Sequence, residues 1–117
     1  MAKKEEKENS QKMLEQLQIV EQNLQNLLLQ KQMFQLELIE TDNALGELKK
    51  TKSEDIFKIV GSLMVKSNKV DLTKSLERKK ELLNLRIKAI EKQEENLKNK
   101  LLETREEVLK ELNIRKI

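Results

Sequence analysis

The sequence predicts a mainly α fold: a long antiparallel two-helix coiled coil with one β-hairpin between the helices, assembling through that hairpin. Three observations lead there. Apolar residues recur at alternating spacings of three and four in both halves of the chain, the seam pattern of a coiled coil. One short stretch, Asp55 to Ser67 (DIFKIVGSLMVKS), breaks that pattern with two β-rich runs around a Gly-Ser pair. The 117 residues include no Pro, only two Gly and two aromatics, while 38% are charged. Such a composition suits long helices and supplies little aromatic area for a globular core.

Taken in order, residues 1 to about 8 form a charged lead-in without apolar side chains after the first two positions, expected to fray. Helix 1 is expected over about 9–50. One seam row is Ser10, Leu17, Leu24, Lys31, Leu38 and Leu45; the other is Met13, Val20, Leu27, Phe34, Thr41 and Leu48. Gly46 lies inside this phase and should cost about 1 kcal/mol relative to Ala. Thr51 to Glu54 is a polar connector. The hairpin is expected over about 55–67, with Gly61 supplying the positive φ that a two-residue turn needs at its first central position. Val60 then faces Leu63, Ile59 faces Met64, and Lys58 faces Val65. One face carries Ile56, Lys58, Val60, Leu63 and Val65, and the other carries Phe57, Ile59, Met64 and Lys66.

Asn68 is the expected N-cap of helix 2, with Asp71 favouring the helix N-terminus. Helix 2 is expected over about 69–113. Its seam rows are Leu76, Leu83, Ile90, Leu97, Thr104 and Thr73, Lys80, Ile87, Glu94, Leu101, Val108. The short connection makes the helices antiparallel neighbours. Pairing residues whose numbers add to 121 sets Leu45 against Leu76, Leu38 against Leu83, Phe34 against Ile87, Leu24 against Leu97, Val20 against Leu101 and Met13 against Val108. The same register puts Lys31 one layer from Glu94. The whole of residues 1–117 therefore reads as one domain.

Both hairpin faces are mostly apolar, and an isolated two-stranded ribbon is marginal in water and has open edges. Ile56, Phe57, Ile59, Val60, Gly61, Leu63, Met64 and Val65 are accordingly the expected oligomer interface. A hairpin folded back on its own helices is the alternative.

Composition excludes much chemistry. With neither Cys nor His, the chain lacks the usual zinc ligands, thiolate nucleophile and general base. No catalytic activity, metal or cofactor is expected. The longest apolar run, Leu27-Leu28-Leu29, is far too short to span a membrane, and the N-terminal residues have no apolar signal core. A soluble cytoplasmic protein with no membrane partner is the expectation. Net charge is +3, but the basic second half interleaves its signs and offers no aromatic for base stacking, so no nucleic acid is expected either. Between Glu21 and Glu37, Lys31 is the only charge among Gln, Asn and Leu, which leaves an uncharged helix surface.

The order helix, hairpin, helix resembles the beta-type subunit of archaeal prefoldin. The resemblance is carried by Ile56-Phe57-Lys58-Ile59-Val60-Gly61 and Leu63-Met64-Val65-Lys66, and more diffusely by Leu76 to Leu101. The interval from Lys50 to Asn68 has room for one hairpin, whereas alpha-type subunits carry two. The resemblance implies a hexamer of two alpha and four beta subunits, with hairpins forming β-barrels at a central platform. It also implies coiled-coil tips that hold unfolded proteins without ATP and pass them to a group II chaperonin. The chain has no Gly-rich phosphate loop.

An ATP-independent holdase subunit is thus the leading functional reading, and a structural coiled-coil adaptor oligomerised through its hairpin is the alternative. Apolar residues at the end expected to lie away from the hairpin favour the first. The weak last seam layers there should splay and expose Met13, Leu14, Leu17, Val108, Leu109 and Leu112 as the client-binding set; Met and Leu on a mobile surface repack against many sequences.

Overall fold

A run of 49 residues free of Pro, rich in Leu, Gln, Glu and Lys, has both the propensity and the apolar spacing for one uninterrupted helix. In the computed structural model, which describes the backbone of residues 2–116 and the side chains of residue 8 and residues 11–111, that helix is α1 (Ala2–Lys50). It begins ahead of the expected start near residue 9, as the helix-favouring Ala, Lys and Glu of the lead-in allow. Strand β1 (Asp55–Val60), strand β2 (Leu63–Asn68) and helix α2 (Lys69–Lys116) follow.

The chain divides into two compact units: the chain up to Lys31 with the chain from Ala89 onward, and Gln32–Lys88. In the Gln32–Lys88 unit, Thr41, Leu48, Leu83 and Ile87 are buried, with Phe34, Leu38, Leu45, Thr73, Leu76 and Lys80 half-buried around them. Leu83, 2% exposed, is the most deeply buried of the described side chains. Lys80 Nζ reaches Asp42 Oδ1 at 2.8 Å, and the Arg86 guanidinium lies 5.6 Å from the Phe34 ring centroid, within cation–π range.

In the other unit Val20, Ile90, Glu94 and Thr104 are buried, beside half-buried Met13, Leu17, Leu24, Leu27, Lys31, Leu97, Leu101 and Val108. Arg105 donates to Glu21 Oε1 at 3.2 Å. Every expected seam position whose side chain is described is therefore buried or half-buried; Ser10 lies outside the described side chains. In each unit the cross-helix contacts join residues whose numbers add to within five of 121, so both keep the antiparallel register.

Polar seam residues find partners in different ways. The Thr41 and Thr104 hydroxyls donate to the carbonyls of Glu37 at 2.7 Å and Lys100 at 2.8 Å, one turn back in their own helices. Glu94 is 5% exposed. Lys31 Nζ lies 3.4 Å from its Oε1 and Lys98 Nζ 4.0 Å from its Oε2. The Lys31 ammonium is off the direction of a hydrogen bond, so Oε1 gains charge neutralisation without a hydrogen-bond partner.

The helix ends explain where the hairpin starts. At the end of α1 the Thr51 amide and hydroxyl both donate to the Glu47 carbonyl, at 3.0 and 2.8 Å, and Lys69 Nζ donates to the Thr51 carbonyl at 2.9 Å. A lysine at a helix C-terminus satisfies a carbonyl that the helix leaves unpaired. At the start of α2, Asn68 Oδ1 accepts from the Asp71 amide at 2.8 Å while its Nδ2 donates to Asp71 Oδ2 at 2.7 Å. Asn68 is thus the expected N-cap, and its side-chain bond to Asp71 adds to it.

Candidate functional site

Alternation of side chains along a strand puts successive residues on opposite faces, and the register decides which residues share a face. β1 and β2 pair antiparallel with Val60 opposite Leu63, Ile59 opposite Met64 and Lys58 opposite Val65, as the Gly-Ser turn required. Gly61 has φ of 62°. Phe57, Ile59, Val60, Leu63, Met64 and Val65 are all exposed, Ile59 and Met64 by 72% and 70%. Of the apolar hairpin residues only Ile56 is half-buried, where the base of the hairpin meets the helices in a shallow cleft lined by Ala44, Leu48, Phe57, Leu72 and Leu76. The ribbon is thus not folded back on the helices of its own chain. Both of its apolar faces stay open, the kind of patch that marks an interaction surface.

The expected client-binding residues fall into two kinds. Met13, Leu17 and Val108 are half-buried on the seam, whereas Leu14 and Leu109 are 48% and 59% exposed beside it. Leu112 lies outside the described side chains. All the described ones belong to the same compact unit. Sequence reasoning left several exposed apolar residues unremarked: Ile19, Met33 and Ile39 on α1, and Leu82, Leu85 and Leu102 on α2. Their signal was present, because each occupies a heptad position off the seam.

Among the described residues no group of His, Cys, Asp and Glu side chains is arranged to hold a metal ion. No helix there is long and apolar enough to cross a membrane.

A family model described as "Prefoldin subunit" matches residues 11–114. The chain belongs to the prefoldin subunit family. Its relatives place it with the beta type. The prefoldin subunit beta of Archaeoglobus fulgidus is 39% identical over 89 residues, 75% of this chain and 77% of the relative. That of Thermococcus onnurineus is 43% identical over 88 residues, 74% and 76% of the two chains. The crystal structure of the prefoldin beta subunit from Thermococcus strain KS-1 superposes with a TM-score of 0.77 at 39% identity, covering 86% of this chain and 89% of that one. The prefoldin beta2 subunit of the same strain shares the fold, with a TM-score of 0.67 at 22% identity over 75% and 95% of the two chains. Two long helices with one two-stranded hairpin between them are common ground, and prefoldin subunits are chaperones rather than enzymes.

Proposed function

We propose that this prefoldin-type chain is a cytoplasmic, ATP-independent holdase subunit forming one prefoldin-like domain. It joins an alpha-type partner in a hexamer of two alpha and four beta subunits through Ile56, Phe57, Ile59, Val60, Gly61, Leu63, Met64 and Val65. It captures unfolded clients with Met13, Leu14, Leu17, Val108, Leu109 and Leu112 and delivers them to a group II chaperonin. The observation that carries the reading is the exposure of Leu14 and Leu109 beside a half-buried Met–Leu–Val seam, in a member of a chaperone family. Individually weak apolar contacts gain affinity when several subunits share one assembly, because the second contact forms at high local concentration.

The test mixes the purified chain, with and without an alpha-type partner, with a denatured aggregating protein in the absence of nucleotide. Suppressed light scattering is the expected result. Scattering unchanged by either preparation leaves an adaptor role and ends the holdase reading.

A further inference from the structure

The uncharged stretch of α1 meets two side-chain amides of α2. Asn23, Asn26 and Gln30 of α1 face Gln93 and Asn96 of α2 across a cleft of about 420 Å³ floored by Leu27 and Leu97. All seven residues belong to one compact unit. Each amide immediately precedes a seam residue, namely Leu24, Leu27, Lys31, Glu94 and Leu97, so the five share one flank of the helix pair. Further along α2 the equivalent positions hold Lys100, Glu103 and Glu107, the charges usual beside a coiled-coil seam. The cleft replaces them with neutral groups. All five amide side chains are exposed, and among the described residues none makes a side-chain hydrogen bond within the protein.

From this arrangement we infer that the cleft binds a single extended stretch of unfolded polypeptide through its backbone. The inference rests on the holdase reading and adds a second contact to it. A side-chain amide carries both donors and an acceptor, the same groups as a peptide bond, so it pairs with a backbone whatever side chains that backbone bears. A charged lining selects for complementary charge; this lining does not. Folded proteins already use most of their backbone groups internally, so an unfolded segment has more of them free to replace water on these five exposed side-chain amides. The dimensions agree. Asn23 to Gln30 spans about 10 Å at the helical rise, or about three residues of extended chain. Leu27 and Leu97 meanwhile offer an apolar floor for one side chain.

The experiment uses the full chain and a fluorescein-labelled short peptide of Ala, Ser and Leu, read by fluorescence anisotropy. A second version of the peptide carries N-methyl groups on alternate backbone amides. Asn26→Leu with Asn96→Leu should weaken binding about ten-fold, the loss of two net hydrogen bonds, although the surface becomes more apolar. Asn26→Gln with Asn96→Gln should bind like the unmodified chain, and the N-methylated peptide should bind the unmodified chain about as poorly as the leucine variant binds the ordinary one. Equal or tighter binding by the leucine variant overturns the inference in favour of plain apolar contact. A changed assembly size in that variant overturns it in favour of a second copy of the chain. If the leucine variant loses helicity, the two peptides on the unmodified chain decide alone, and equal affinity for both overturns the inference. Suppressed scattering in the aggregation assay without binding of either peptide sinks the cleft and leaves the holdase; unchanged scattering sinks the holdase itself.

Discussion

Gly46 and Gly61 make opposite demands on a side chain. A Cβ at Gly46 would meet nothing within 4 Å, and the residue sits inside α1. Gly46→Ala should therefore stabilise the chain by roughly 0.5–1 kcal/mol, the entropy a mid-helix glycine loses on folding. Gly61 has equal room, but its φ of 62° is one that an L side chain resists, so Gly61→Ala should destabilise the hairpin by about 1–2 kcal/mol. Thermal melts at one fixed protein concentration check both signs. Lys31 and Glu94 make a sharper case. Removing Lys31 alone leaves a buried carboxylate with only Lys98, 4.0 Å away, beside it. Lys31→Leu should thus cost more than Lys31→Leu with Glu94→Leu, as expected when one partner of a buried pair is deleted. A double-mutant cycle should return a coupling of about 0.5–3 kcal/mol. Additive single mutants would show that the pair is solvated and that the register is set by the apolar layers.

At the scale of elements, the hairpin and the helices depend on different physics. The helices are held by a seam, and deleting its deepest residue, Leu83→Ala, should cost about 2–5 kcal/mol as a core truncation. The hairpin buries almost nothing within its own chain. Val60→Asp with Leu63→Lys places the new charges directly opposite each other, where they can pair across the strands, so the ribbon keeps its register while its exposed face becomes charged. Assemblies should then separate into protomers that retain their helical circular dichroism. Sedimentation showing the oligomer undiminished would remove the hairpin from the interface. Asn68→Ala offers a quieter check on the join: loss of the reciprocal cap with Asp71 should cost about 1 kcal/mol.

For the molecule as a whole, the proposed assembly and client contacts fall in different compact units. The Gln32–Lys88 unit contains the hairpin, and the other contains Leu14, Leu109 and the amide cleft. Removing residues 1–14 and 108–117 takes away five of the six proposed terminal client contacts, leaving Leu17 and the amide cleft, and keeps buried Val20 and Thr104 and the Arg105–Glu21 pair. The truncated chain should assemble normally and lose most of its suppression of aggregation, read by sedimentation and light scattering on the same samples. Full protection by the shortened assembly would exclude those terminal residues as the client site.

Local periodicity and turn chemistry were enough to determine both helices, the single hairpin, its register and the Asn68 cap, because each depends on residues within a few positions of one another. The seam and its antiparallel pairing were also legible, since two 3–4 patterns joined by a short connection can meet in only one direction. Tertiary structure alone decided which of the remaining surfaces stay exposed and which residues they bring together. Composition marked the stretch between Glu21 and Glu37 as carrying no charge but Lys31, yet the amides Gln93 and Asn96 that complete its cleft lie more than sixty residues further along the chain. Likewise, the sequence left open whether the hairpin folds back, and only the packing of Ile56 at its base, with the rest of the ribbon exposed, answered it. Solvent exposure is a property of whatever lies nearby in space, and no window of sequence contains those neighbours.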